Sequence, residues 1–338
     1  MMDYRNLKGA TRSYLLFTLM MLCSFASTAA INHLVIFGDS LSDTGNTRSE
    51  VPLGSSGPVA TIAGYGSNGR FSNGPLWHEY LAWGLGITPA INSENGGDNF
   101  AFGGARVDND SGVSTGVLRQ TNQYLARQAG APSDTDSLFI NWSGGNDVRD
   151  LVGNSSPIAV IEQQLDLLFG SLTDILDSGV SQLLVPNLPD LGAIPENRGT
   201  ANQASATAVT QAWNDGLLSR LFDLNNSTTA SIYFFDVYSL FDGLLANPSA
   251  VGITNTTGQC RSVTLGIFEN QCSNPETYAF WDEIHPTTKA HSILGWASLQ
   301  LISSGNTLQK NVVTASAPAA FLIFIIGVFT LIYQRKTK

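Results

Sequence analysis

Three residue types in this chain could together carry out acyl transfer: a serine emerging from an apolar run, a histidine in a loop, and an aspartate three residues before it. The serine is Ser40, within His33-Leu-Val-Ile-Phe-Gly-Asp-Ser-Leu-Ser-Asp-Thr-Gly-Asn46. Residues 34–37 read as a short buried strand, the chain breaks at Gly38, and Ser40 is the first hydroxyl after the break. A nucleophile at the end of a buried strand is held by a rigid element and still faces solvent. Taken alone, a serine in that place is equally a helix cap, so a base, an orienting group and an oxyanion hole must come from elsewhere in the chain.

The sequence holds four histidines. His33 starts a strand, His78 falls in the middle of a helix and His291 in the last helix, which assigns all three to structure. His285 lies in a loop, and Pro286 keeps a helix from running through it. Asp282, three residues earlier, can fold back onto the imidazole N–H, set the tautomer and stabilise the imidazolium as His285 takes the Ser40 proton. Three donors could receive the oxyanion: the backbone N–H of Ser40, the backbone N–H of Gly104, where the missing side chain allows close approach, and the side-chain amide of Asn146.

These residues need elements to position them, and the periodicity supplies them. Strands are expected at 34–37, 99–105, 137–142, 181–186 and 231–237. Helices are expected at 75–83, 116–128, 157–177, 202–224, 238–246 and 286–302. In the third of these, Ile158, Ile161, Leu165, Leu168, Leu172 and Leu176 form one apolar face, and Gly179 follows as a C-terminal cap. Alternating strands and helices without a repeat predict a parallel sheet wrapped by helices in one domain. Ligands bind such sheets at the carboxyl ends of the strands. Ser40, Gly103-Gly104, Asn146 and the Asn187 loop all follow strands and should converge there. Two loops, 51–67 and 254–274, are expected to shape an acyl pocket. Asp108-Asn-Asp-Ser-Gly112 lacks the further ligands of a calcium loop and reads as a turn.

The chain has 338 residues, 43% of them hydrophobic. Its two ends are unlike its body. Residues 1–30 have a basic start (Arg5, Lys8, Arg12), an apolar stretch at 14–25 too short to span a bilayer, and small residues at 26–30, the pattern of a signal peptide. Residues 31–305 form the expected catalytic domain and 306–316 a linker. Residues 317–338 hold an apolar transmembrane or sorting segment with a basic tail, and extending it back to Val312 gives a stretch long enough to span a membrane. Without residues 1–30 and 317–338, 11 Lys and Arg face 26 Asp and Glu, a net charge of −15. Such a surface repels phosphate backbones and argues against a nucleic-acid partner. Of three cysteines, Cys23 lies in the expected signal peptide, and Cys260 and Cys272 remain as an even pair in a chain expected to be exported, which predicts a disulfide. No neighbouring His or Cys completes a metal site around them.

Four blocks, Phe37-Gly-Asp-Ser-Leu-Ser-Asp-Thr-Gly-Asn46, Asn99-Phe-Ala-Phe-Gly-Gly-Ala105, Gly144-Gly-Asn-Asp147 and Asp282-Glu-Ile-His285, stand in the order of the blocks of the GDSL (SGNH) hydrolases. Arg70-Phe-Ser-Asn-Gly-Pro75 and Val185-Pro-Asn-Leu-Pro-Asp-Leu-Gly192 also resemble that family, in its lipase, phospholipase and thermolabile-hemolysin branch. The resemblance spans roughly residues 34–301. It implies an α/β fold, a three-layer α/β/α sandwich on a flavodoxin-like parallel sheet, and ester hydrolysis without cofactor or metal. By position it makes Ser40 the nucleophile, His285 the base, Asp282 its orienter, and Ser40, Gly104 and Asn146 the oxyanion hole. Gly103 could replace Gly104, which is preferred because it directly precedes the alanine.

The expected protein is an exported, C-terminally anchored or processed monomer whose substrate is an acyl ester or lipid. An acyltransferase using the same triad is one alternative. An inactive envelope-tethered binding or adhesion protein is the other, and the complete set of site residues argues against it.

Overall fold

The computed structural model describes residues 30–50, 64–66, 68–108, 114–264 and 268–309. The expected signal peptide, apart from Ala30, and the C-terminal apolar segment lie outside the described residues. So do most of the 51–67 loop and most of the Asp108–Gly112 turn. Among the described residues, no helix is long and apolar enough to cross a membrane.

The fold is built on four parallel strands, β1 (His33–Gly38), β2 (Ser137–Trp142), β3 (Gln182–Pro186) and β4 (Ser231–Phe235), in that spatial order. Every residue of β2 and β3 is buried, as the near-continuous apolar runs of a sheet covered on both faces require. The helices are α1 (Asn46–Glu50), α2 (Trp77–Leu85), α3 (Val117–Gln128), α4 (Gly145–Asp150), α5 (Pro157–Asp177), α6 (Gln203–Ser227), α7 (Val237–Ala246) and α8 (Thr288–Ser304). Side-chain alternation along β2 shows that both faces are covered. Phe139 meets Tyr124 of α3 edge-on at 5.3 Å, while Trp142, of opposite parity, meets Trp77 of α2 at 5.3 Å. With α3, α5 and α6 packed in one layer and α2 and α8 packed together in the other, the expected three-layer α/β/α sandwich is what the chain forms.

One expected strand is not formed. Residues 99–105 make only isolated bridges, from Asn99 to Ile36 and to Asn92. The segment still lies along the outer edge of β1, where the Phe100 N–H donates to the Ile36 carbonyl (2.7 Å) and the Phe102 N–H to that of Gly38 (3.1 Å). Its other carbonyls, on Asn99 and Ala101, accept from the buried side-chain amide of Asn46 (2.8 and 2.9 Å). Asn46 thus serves the edge that faces away from β1, while the Gly38 N–H that would continue the ladder donates to the Gln120 side chain (2.9 Å), and the paired glycines then turn the chain away. Counted as a rudimentary strand, this segment completes the flavodoxin-like order 2-1-3-4-5.

A smaller assembly follows α7. Here β5 (Asn255–Gln259) pairs in parallel with β8 (Tyr278–Phe280), and β6 (Arg261–Thr264) forms a hairpin with β7 (Phe268–Gln271). The Cys260–Cys272 disulfide closes the base of the hairpin, with Cα atoms 4.8 Å apart. At the far end the chain does not leave at 305. The Leu308 N–H donates to Ile232 of β4 (2.8 Å), and the Leu308 carbonyl accepts from Asn225 (3.0 Å).

Candidate active site

Gly38 ends β1 at a φ of 149°, and a Cβ there would lie 2.3 Å from the Trp142 carbonyl oxygen. Only glycine lets the chain turn out of the sheet so close to its neighbour strand. The fully buried Gln120 of α3 holds this turn from both sides, accepting from the Gly38 N–H and donating to its carbonyl, both at 2.9 Å. Ser42 closes the turn, its N–H donating to the Asp39 carbonyl (3.0 Å) and its own carbonyl accepting from His78 Nε2 (3.0 Å) and Asn99 Nδ2 (2.7 Å). His78 therefore serves the turn as a neutral donor, and burial pushes it down to about 4.

Ser40 ends up facing His285, with Oγ 2.8 Å from Nε2. On the other side of the ring, Nδ1 lies 2.8 Å from Asp282 Oδ2 and 2.9 Å from Oδ1. The Asp282 carboxylate also accepts from the backbone N–H of His285 (2.8 Å) and of Ile284 (3.0 Å). Burial alone would push the Asp282 carboxyl up, but the His285 ring and these donors outweigh it and hold the group below the ordinary carboxylate range. An Asp so held stays ionised, and the imidazole then keeps its proton on Nδ1 and offers Nε2 to the hydroxyl.

The two glycines of the 103–104 turn are not equivalent. The Gly103 N–H is already taken, donating to Thr47 Oγ1 (2.8 Å) and Asp43 Oδ2 (3.0 Å). The backbone N–H groups of Ser40 and Gly104 have no acceptor among the described residues. Asn146, in the first turn of α4, donates to the Ala105 carbonyl (2.9 Å) and lines the same cavity as Ser40 and His285. A second tie joins these loops, as the Asp147 carboxylate accepts from the Val107 N–H at 3.2 Å. Burial pushes Asp147 up to about 7.

The cavity measures about 660 Å³ including its open mouth. Beyond the polar end it is walled by Leu188, Leu191, Ile194, Val237, Phe241, Phe280 and Leu294. The loop after β3 contributes as expected, and its base is tied to α7 by Asn187, which donates to Asp236 (2.9 Å) and accepts from the Tyr238 N–H (2.8 Å). No described residue of 254–274 lines the cavity. That part of the pocket expectation is corrected, because the hairpin supports the wall from behind through Phe280 and Trp281.

Of the remaining histidines, His33 pairs with Asp98 at the surface, and His291 is fully buried. Sequence reasoning missed Gln120, Asp147 and the extent of the Asp43 network. Asp43 accepts from the N–H groups of Gly45 (2.7 Å), Asn46 (2.7 Å), Thr47 (3.1 Å) and Gly103, so it binds the turn after Ser40 to the glycine turn. A carboxylate in a stretch rich in Gly, Asn and Thr hints at such a hub, whereas a lone Gln on a helix face gives no signal. Among the described residues, no three His, Cys, Asp or Glu side chains come together in a way that could hold a metal ion.

The model of the GDSL-like lipase/acylhydrolase family matches residues 34–297. Phosphatidylcholine-sterol acyltransferase of Aeromonas hydrophila is 28% identical over 82% of this chain and 92% of its own length. Thermolabile hemolysin of Vibrio parahaemolyticus is 27% identical over 83% of this chain and 65% of its own. Among solved structures, LAE5, an α/β hydrolase from a lake metagenome, aligns over 83% of this chain and 99% of its own with 17% identity and a TM-score of 0.45. With nearly four-fifths of the whole chain inside the matched span, the chain belongs to the GDSL-like lipase/acylhydrolase family of carboxylic ester hydrolases.

Proposed function

We propose that the protein is an exported serine hydrolase that cleaves lipid or other acyl esters through an acyl-enzyme. The single observation that carries this reading is the unbroken relay from Asp282 through His285 to Ser40 Oγ, all within 2.8–2.9 Å. The Ser40 oxygen attacks the ester carbonyl as its proton passes to His285 Nε2. The oxyanion is received by the N–H groups of Ser40 and Gly104 and the Asn146 amide. His285 then returns the proton to the departing alcohol, and water repeats the sequence on the acyl-enzyme. The apolar cavity wall supports an acyl chain as the group held during these steps.

A second reading, transfer of the acyl group to an alcohol, uses the same residues. It is favoured by the similarity to a phosphatidylcholine-sterol acyltransferase. Export and a C-terminal anchor rest on the composition of residues 1–30 and 317–338, with the catalytic domain at 31–305 and a linker at 306–316. The disulfide supports an oxidising compartment. A monomer is the expected state.

The test is hydrolysis of a chromogenic short-chain ester by purified residues 31–311. Ser40→Ala should reduce kcat by about 10⁶-fold. Turnover retained by the alanine variant would refute the assignment of Ser40. Including a sterol or simple alcohol as acceptor, and measuring ester formed against free acid, separates the two readings.

A further inference from the structure

The segment Arg70-Phe-Ser-Asn-Gly-Pro75 supplies none of the reacting groups, yet it touches three parts of the site. The Phe71 ring packs against the His285 imidazole, with centroids 5.2 Å apart and planes inclined by 40°. The same ring closes on the glycine turn, where a Cβ on Gly103 would lie 2.3 Å from Phe71 Cζ. Phe71 is buried, and Tyr65 braces it edge-on at 6.2 Å. The next two residues fix the backbone just past the histidine. Ser72 Oγ donates to the Pro286 carbonyl (3.0 Å), and Asn73 Oδ1 accepts from the Thr288 N–H (2.9 Å). Arg70 anchors the segment through a two-point pair with Glu79 (Nε–Oε2 2.7 Å, Nη2–Oε1 2.5 Å). Glu79 in turn accepts from the Leu76 N–H (2.8 Å) at the start of α2.

Asp282 and Ser40 hold the imidazole only at its two nitrogens. Those contacts leave the ring free to tilt about the line joining them, and they leave its faces undefined. A flat apolar ring against one face limits the tilt and excludes water. Its π-face also favours the cation that His285 becomes when it takes the serine proton. Because Phe71 also abuts Gly103, the base and the oxyanion turn share one spacer.

We propose that Phe71 is the positioning residue of this site, setting the plane of the His285 imidazole and its spacing from the Gly103-Gly104 turn, with Ser72 and Asn73 fixing the histidine loop behind it. The proposal rests on the triad reading above. The titratable groups facing the imidazole are Asp282 from its own loop, Asp39 from the serine turn and His291 from α8. Changing Phe71 alters none of them.

Phe71→Leu keeps an apolar side chain and removes the aromatic face. It should lower kcat about 10- to 100-fold with KM little changed, as a small misplacement of catalytic groups does. The NMR signals of the His285 ring in a Ser40→Ala background should lose the ring-current shift of the packed Phe71 ring, independently of turnover. Ser72→Ala, a milder change, should lower kcat with KM unmoved. A folded Phe71→Leu protein with kcat within twofold of wild type would overturn the proposal. So would an unchanged kcat in Ser72→Ala if Phe71→Leu does not fold. Failure of the triad reading shows differently, as activity surviving in Ser40→Ala alone.

Discussion

At the scale of single residues, the carboxylate of Asp282 is the clearest case of environment deciding role. Four contacts converge on it, two from backbone N–H groups and two from the imidazole. Asp282→Asn would keep the shape and remove the charge, and the neutral amide can present its NH₂ to Nδ1, leaving the proton on Nε2 where it cannot accept from Ser40. We expect kcat to fall by about 10⁴-fold with KM near wild type. Steady-state kinetics on a soluble ester decide this, and a loss of less than tenfold would mean that Asp282 does not orient the base. The proposed nucleophile, base and orienter, Ser40, His285 and Asp282, stand out in the sequence by residue type and short local spacing, and the structure brings the three side chains together. Choosing between Gly103 and Gly104 was a different problem, because both fit the motif. The choice follows from which N–H is already occupied by Thr47 and Asp43, and that depends on a contact between residues almost sixty positions apart in the chain.

At the scale of elements, the site is held by ties between loops more than by the sheet itself. Asp147 at the start of α4 reaches Val107 beyond the glycine turn, beside the tie from Asn146 to Ala105. An ordinary aspartate in the unfolded chain titrates near 3.9, whereas burial raises Asp147 to about 7 in the folded protein. Between those values the folded state keeps a proton that the unfolded chain has released, so this group's contribution to stability is full below pH 4 and is lost as pH rises towards 7. The slope is about 1.4 kcal/mol per pH unit inside the window. Asp147→Asn cannot titrate and still offers a carbonyl oxygen to the Val107 N–H. Urea unfolding of both proteins at pH 5, 6 and 7 should show a smaller fall of stability in the variant, and equal falls would remove Asp147 as the source. The sequence showed most of these elements, because strands and helices announce themselves through periodicity. It misled at 99–105, where the Gly38 N–H that would continue the ladder donates to the Gln120 side chain and the Asn46 amide takes the carbonyls of the outer edge. Periodicity carries no record of a side chain that substitutes for a ladder.

For the whole molecule, the outer assembly of β5–β8 raises the question of what a disulfide far from the nucleophile contributes. The Cys260 N–H donates to the Phe280 carbonyl (3.0 Å), the Arg261 N–H to that of Trp281 (2.5 Å), and the Trp281 N–H to that of His285 (2.7 Å). The clipped hairpin is therefore bonded to the strand that leads directly into Asp282, and its unfolding would take part of the cavity wall with it. Closing so short a loop stabilises the folded chain by about 3 kcal/mol in the chain-entropy picture. For a domain of this size, reduction should lower the thermal midpoint by about 5–10 °C. Differential scanning calorimetry with and without a phosphine reductant, alongside thiol counting by mass spectrometry, reads both quantities on one sample. Two reactive thiols before reduction would show the bond is not formed in the purified protein. A full count of two only after reduction, with no change in midpoint, would show that the hydrogen bonds to Phe280 and Trp281 hold the hairpin without the clip. The expected drop would make the oxidised state part of what keeps the Asp282–His285 loop in place, consistent with a protein built to work where disulfides persist.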